Sequence, residues 1–182
     1  MLYIMRHGKT DWNEQHKLQG RTDIPLNDDG IKMAEAAALK YKDVHFDICY
    51  CSPLKRAKKT AEILLAGRDI PIISDDRLVE MSFGIYEGTE QSARALDCPI
   101  NILFKEPEKY KAVEGGESIE KLFERTGDFL RNVVEPQLED GKNIVIIGHG
   151  AMNSGIICQV RGLSTEHFWD AGINQCELLQ LK

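Results

Sequence analysis

The chain has no long apolar run. No stretch of its 182 residues approaches the ~20 consecutive apolar residues that a membrane-crossing helix needs. Nor is a leader expected from its first residues. Met1-Leu2-Tyr3-Ile4-Met5-Arg6 has no basic start followed by an apolar stretch, so it does not read as a signal peptide, and the expected compartment is the cytoplasm. Cysteines are few and odd in number: Cys49, Cys51, Cys98, Cys158 and Cys176. They are scattered, mostly in apolar surroundings, and read as reduced and mostly buried thiols. Cys49 and Cys51 form a C-x-C, but no second pair or nearby histidine completes a zinc-like set, so no metal is expected. An excess of positive charge is missing too: the formal net charge is −6. A nucleic-acid binder is more often basic or carries a basic stripe, and here the longest basic cluster is only Lys55, Arg56, Lys58 and Lys59. Neither nucleic acid nor membrane is therefore an expected partner. There is no repeat and no low-complexity stretch, and nothing marks the oligomeric state.

What is present suits one domain over residues 1–182, with 42% apolar and 29% charged residues to supply both a core and a solvated surface. Short apolar runs alternate with helical patterns, which indicates an α/β domain. Residues 1–5 read as a strand ending at Arg6, and residues 20–25 as a loop. Asn27 to Asp29 can cap a helix reaching Tyr41, with Ile31, Ala34, Ala38 and Leu39 on one face. Residues 46–51 form the second strand. Ser52 and Pro53 then read as N-cap and first helical residue of a helix running to Ala66. Residues 70–74 predict a strand at an edge, because Pro71 cannot donate to a ladder.

Residues 75–116 are the least regular, with short helices expected at 89–97 and 100–104. Ser118 can cap a long helix that turns Ile119, Leu122, Phe123, Phe129, Leu130 and Val133 inward, with Pro136 placed to kink it. The β-branched run Ile144, Val145, Ile146, Ile147 predicts a central strand buried on both faces. A helix at 151–160 and a strand at 176–181 complete the chain.

Two strands end directly in a histidine, His7 and His149. Ligands of open α/β sheets bind beyond the carboxyl ends of the strands, so the two can share one site. A phosphoryl group moved without a metal needs several fixed donors around it. Arg6, Arg56 and a protonated His149 could be the cationic ones, with Gly8 and Asn13 as uncharged donors. Arg56 falls in the first turn of its helix, where amides and the dipole add to its effect. A neutral His7 can attack phosphorus and form a covalent intermediate that water opens. Glu80 is the candidate general acid for the leaving alkoxide. Taken singly, each has a plainer reading: a turn histidine, a solvated arginine, a capping glutamate.

The order of the segments narrows this. Arg6-His7-Gly8-Lys9-Thr10-Asp11-Trp12-Asn13 resembles the R-H-G-x-T-x-x-N signature of the phosphoglycerate mutase-like histidine phosphatases. The segment from Gln19 to Leu26 is similar to that family's second loop. Ser52-Pro53-Leu54-Lys55-Arg56-Ala57 through Thr60-Ala61 resembles its S-P-x-x-R-A-x-x-T-A helix start. Glu80 with Phe83-Gly84 and Glu87-Gly88, then Gly115-Gly116-Glu117-Ser118, then Gly148-His149-Gly150, follow in the family's order. The resemblance spans essentially the whole chain. It implies a three-layer α/β/α sandwich with a mostly parallel sheet and no metal or other cofactor. It further implies His7 as the phosphorylated nucleophile and Glu80 as proton donor, with Arg6, Gly8, Asn13, Arg56, His149 and Gly150 around the phosphoryl group of a small phosphomonoester.

Mutases of the family resemble E-R-x-Y-G at the acid segment. Here Met81 and Phe83 replace the arginine and tyrosine, and the later Arg-Arg pair is missing. Losing those contacts weakens retention of a doubly anionic intermediate, which favours a phosphatase over a mutase or a non-catalytic phospholigand-binding protein. A cysteine phosphatase would need C-x-x-x-x-x-R, and Cys51 and Arg56 stand one residue too close. A metal hydrolase built on His7, His149 and Glu80 lacks a ligand-spacing motif. Specificity is expected to lie in residues 81–117, where Lys105, Lys109, Tyr110 and Lys111 read more simply as solvated surface than as substrate contacts.

Overall fold

A computed structural model describes residues 1–90 and 95–182. In chain order its main elements are β1 (Leu2–Arg6), α1 (Asp11–Glu14), α2 (Asp28–Lys40), β2 (Ile48–Cys51), α3 (Lys55–Leu64), β3 (Ile72–Ser74), α4 (Ile100–Lys105), α5 (Ile119–Phe129), α6 (Glu135–Glu139), β4 (Ile144–Gly148), α7 (Gly150–Arg161) and β5 (Leu178–Gln180). Among the described residues the strands form one sheet in the order β3-β2-β4-β1-β5. The first three pairings are parallel, and β5 runs antiparallel to β1. The mostly parallel α/β sheet expected from the resemblance is therefore present. Among the described residues no helix is long and apolar enough to cross a membrane.

Strand side chains alternate between the two faces, and this divides the core. Tyr3, Met5, Cys49, Cys51, Val145 and Ile147 pack beneath α2 and α3. Leu2, Ile4, Ile48, Tyr50, Ile144 and Ile146 pack on the other face with Leu122 and Phe129 of α5 and Ile156 of α7. Small residues, Ala34 and Ala37 on α2 and Ala57 and Ala61 on α3, are buried where those helices meet and allow close approach. The central place of β4 follows from its composition: all five residues are buried, and each large aliphatic side chain so removed from water contributes roughly 1.5–3 kcal/mol. β3 lies at the sheet edge and is exposed throughout, as Pro71 requires.

Capping agrees with sequence at most helices. Asn27 accepts from Gly30 N at the start of α2, and Ser118 accepts from Lys121 N at the start of α5; such caps are worth ~1 kcal/mol each. α3 is an exception. Its N-cap is Leu54, not Ser52. Ser52 N still donates to Ile147 O, extending the β2–β4 ladder by one residue, so the helix starts two residues later than the Ser-Pro pair suggests. Pro136 does interrupt the long helix, through a π-helical turn at Leu130–Val134. The wider turn accommodates the missing N–H and the bulk of the ring. The short α1, closed by a reciprocal Thr10–Asn13 capping box, went unread in the sequence. The helix expected at 100–104 is α4, while the one expected at 89–97 lies across residues outside the described set.

Candidate active site

β1 and β4 are adjacent and parallel, with Arg6 opposite Gly148 and His7 N donating to Gly148 O at 2.9 Å. This register brings the two strand-end histidines together: their ring centroids are 5.1 Å apart. Both are buried, His7 at 3% and His149 at 0% exposure. His7 Nδ1 lies 2.6 Å from Gly8 O, an acceptor only, which assigns the ring proton to Nδ1. The Nε2 lone pair then faces Arg56, whose Nε–H donates to His7 Nε2 at 3.3 Å and to His149 Nδ1 at 3.2 Å. Both imidazoles are thus neutral acceptors of one guanidinium. Burial holds the His7 pKa well below the ordinary histidine value, and the charges of Arg56 and Arg6 push it the same way. Burial, then Arg56, does the same at His149.

The protonated His149 expected from sequence is corrected accordingly. Its ring accepts from a cation and cannot carry a second proton there. Its ring proton is then on Nε2, a buried atom without a partner among the described residues. Arg6 Nε is likewise buried and unpartnered, and Asn13, whose Oδ1 accepts from Thr10 N and Oγ1, turns its amide nitrogen the other way. Gly8 is a second correction. Its N–H donates to Thr60 Oγ1 at 3.0 Å, so it is not a free phosphate donor. It is needed for packing: a Cβ there would stand 2.6 Å from Gly30 O, where the loop after β1 rests backbone-to-backbone on α2.

Arg56 is 1% exposed, and burial lowers its pKa to about 10 even though Glu80 pulls it upward. Each terminal nitrogen also donates to backbone, Nη1 to Thr22 O at 2.8 Å and Nη2 to Gly20 O at 2.7 Å, which leaves one further N–H on each. Glu87 holds that loop in turn, accepting from Arg21 N and Phe83 N on one oxygen and from Thr22 N and Oγ1 on the other. Gly20 has φ +53°, and a Cβ there would collide with the Glu87 carboxylate. Glycine is the residue that fits both conditions.

Glu80 sits at the N-terminus of α7. Its Oε1 accepts from Met81 N and Met152 N at 2.8 and 2.9 Å, and Oε2 from Ala151 N at 3.2 Å. The helix dipole favours an acidic group at that place. A Cβ on Gly150 would lie 3.7 Å from Glu80 Oε2 and 3.8 Å from Arg6 Cζ, so the bare glycine leaves the space between them open. The acid-bearing segment is tied down by Arg21, which donates to Glu80 O and to Glu117, and by Glu117 N, which donates to Ser82 O.

These groups line a cavity of about 270 Å³ with floor residues Arg6, His7, Arg56 and Glu80. Phe83, Phe104 and Trp169 form an aromatic wall, the last two stacked at 5.4 Å. Every sequence-expected site residue except Gly8 and His149 is thus a lining residue. Sequence reasoning missed Gln19, which lines the cavity and accepts from Thr10 Oγ1. It also missed the bracing role of Glu87, the aromatic wall, and Lys17 at the mouth. Gln19 and Glu87 stood within family-like segments, but a side chain that holds a backbone loop has no signature of its own. Among the basic residues of the 81–117 region, Lys105, Lys109 and Lys111 are exposed and Tyr110 is buried; none of the four lines the cavity.

Two strand-end histidines around a buried arginine, with the Glu80 carboxylate seated on the N-terminus of α7, bring together in space the residues grouped by the sequence resemblance. The chain belongs to the histidine phosphatase superfamily (branch 1), whose family model matches residues 2–182. It is 36% identical over 173 residues to the "Uncharacterized phosphatase PhoE" of Bacillus subtilis, covering 95% of this chain and 83% of that protein. It is 32% identical over 169 residues to the "2,3-bisphosphoglycerate-dependent phosphoglycerate mutase" of Cytophaga hutchinsonii, covering 91% and 79%. Among solved structures, Bacillus stearothermophilus YhfR superposes with a TM-score of 0.87 at 28% identity, covering 97% of this chain and 88% of that one.

Proposed function

We propose that the chain, as one catalytic domain over residues 1–182, hydrolyses a small phosphomonoester without a metal ion. The observation that carries this reading is the state of His7. Its proton is committed to Gly8 O, and its Nε2 stands at the cavity with a lone pair engaged only by a long 3.3 Å bond from Arg56 Nε, which gives way when phosphorus is attacked. In the first step Nε2 attacks phosphorus, the N–P bond forms and the ester P–O bond breaks, and Glu80 gives its proton to the departing alkoxide. In the second, water attacks the phosphohistidine, Glu80 takes a proton from that water, and the N–P bond breaks to release inorganic phosphate. Oε2 of Glu80 is the oxygen suited to this traffic, since it holds one longer backbone bond while Oε1 holds two. Arg6, Asn13, Arg56, His149 Nε2 and the open space at Gly150 surround the transferred group. With Glu80 protonated in the substrate complex, Arg6 and Arg56 leave an excess of positive charge, which suits a phosphate dianion. Five unpaired thiols suit a reducing setting, the cytoplasm.

Water as acceptor is supported by Met81 and Phe83 after the acid. Met81 is fully buried and Phe83 offers the cavity a ring edge, so neither can hold a second phosphate. The likeness to a mutase keeps transfer to a phosphoglycerate as a second reading. The test is turnover of an aryl phosphate in EDTA, run beside a mutase assay with 3-phosphoglycerate and 2,3-bisphosphoglycerate. Hydrolysis that is unaffected by EDTA and at least about tenfold faster than transfer is expected. Activity abolished by chelation and restored by added metal would overturn the mechanism, and faster transfer would make the protein a mutase.

A further inference from the structure

Beyond the catalytic cavity lies a second hollow of about 420 Å³. The two share Arg6, Asn13, Lys17, Leu18 and Phe104 as common wall, so a ligand whose phosphate sits on His7 extends into the outer space. The lining of that space is unlike the surface of an acidic chain. It carries Arg6, Lys9, His16 and Lys17, and no carboxylate among the described residues. Lys9 is partly neutralised, with Nζ 3.6 Å from Glu14 and 3.9 Å from Asp29. Among the described residues Lys17 has no such partner, although it faces both hollows.

The backbone beneath Lys17 is fixed on two sides. His16 stands at φ +51°, which ends the turn after α1 sharply. Lys17 N donates to Trp12 O, Leu18 N donates to Thr89 O, Gly88 N donates to Leu18 O, and Lys17 bridges Glu90. An ammonium on an anchored segment, lining the hollow with Leu18 and Phe104, is held ready for an anion at a smaller entropic cost than a lysine on a free loop.

Resting on the proposed phosphatase reading, we infer that the outer hollow is a specificity subsite for a second anionic group, a carboxylate or a second phosphate, with Lys17 as its chief ligand. The substrate is then a small phosphomonoester acid or bisphosphate. An amino-acid phosphate fits less well, since the described walls of the outer hollow offer its ammonium no carboxylate.

The test uses matched pairs that differ in that group: 3-phosphoglycerate with glycerol 3-phosphate, phosphoglycolate with 2-hydroxyethyl phosphate, and fructose 1,6-bisphosphate with fructose 6-phosphate. Dissociation constants are measured on His7→Ala by calorimetry, where no turnover interferes, and again on His7→Ala/Lys17→Met. The expected result is an anionic member bound at least about tenfold tighter in one or more pairs, a preference that shrinks to within about threefold when Lys17 is replaced. The carboxylate and bisphosphate pairs tell the two sources apart. Preferences below about threefold in every pair, or a preference that survives Lys17→Met, would overturn the inference. Turnover of an aryl phosphate by the enzyme with His7 intact is scored separately, so a failed catalytic reading and a failed subsite give different results.

Discussion

At the floor of the cavity His7 and Arg56 are 3% and 1% exposed and His149 behind them 0%, whereas at the rim Phe104 is 39% exposed and Lys17 and Trp169 are half-buried. The floor is held by backbone. Gly8 O fixes one imidazole, Gly20 O and Thr22 O fix the guanidinium, and three amides fix Glu80. The rim is held by side chains that can adjust, a stacked Phe104–Trp169 pair and a Lys17 ammonium with no ion-pair partner among the described residues. Chemistry that depends on sub-ångström placement suits the first arrangement, and choice among substrates suits the second.

The comparison breaks most severely at Arg56. Arg56→Met removes the charge beside the nucleophilic nitrogen, and kcat/KM for an aryl phosphate is expected to fall on the order of 10³-fold. A fall of less than about tenfold would show that the buried guanidinium is structural only. One shell further out, Glu87→Gln keeps the shape but loses one of two acceptor oxygens that hold Arg21, Thr22 and Phe83. Charge-assisted bonds of this kind contribute about 1.5–3 kcal/mol, so lower thermal stability is expected. Because the same loop supplies both carbonyls to Arg56, kcat should fall roughly tenfold to a hundredfold with KM less affected. An unchanged kcat would detach the loop from the chemistry.

The smallest effect concerns pH. His7 and His149 are both held well below the ordinary histidine value by burial and then by Arg56. As pH falls through about 6.5 the unfolded chain protonates at these positions and the folded chain does not. The unfolded state then binds more protons, so the stability present above that pH is lost as pH falls, by up to about 1.4 kcal/mol per pH unit for each histidine. His167, raised by Asp170, acts in the opposite sense. The diagnostic comparison is therefore with His149→Gln, whose urea midpoint should drop less between about pH 7.5 and 5.5 than that of the unsubstituted protein. Equal slopes would mean that His149 is not buried as a neutral ring.

Most of the floor was legible in the sequence because strand ends and helix starts carry local signals. The β-branched run 144–147 marks a central strand, and its position puts His149 beside His7 once the two strands are parallel neighbours. Arg56 and Glu80, picked out by the family-like segments, both line the cavity. Two things were not legible. One is the protonation state of His149, which depends on Arg56 arriving from 93 residues away. The other is the division of labour among glycines and loop anchors. Gly8 serves packing against Gly30, and Gly20 serves Glu87, both through contacts between distant segments. The cavity wall joins Phe83 and Phe104, inside the expected 81–117 region, to Lys17, Leu18 and Trp169 from outside it, and no local pattern ties those segments together. The two-residue shift of α3 has a similar cause: the ladder to β4 captured Ser52 before the helix could.

The account's central claim is that Nε2 of His7 carries the phosphoryl group. It is tested most directly by mixing the enzyme with a radiolabelled phosphomonoester, quenching within milliseconds at alkaline pH, and mapping the labelled peptide by mass spectrometry. The account predicts an acid-labile, base-stable phosphate on His7, lost in His7→Ala while that variant keeps its circular dichroism spectrum. A label on His149, Glu80 or Cys51, or full turnover by His7→Ala, would contradict it.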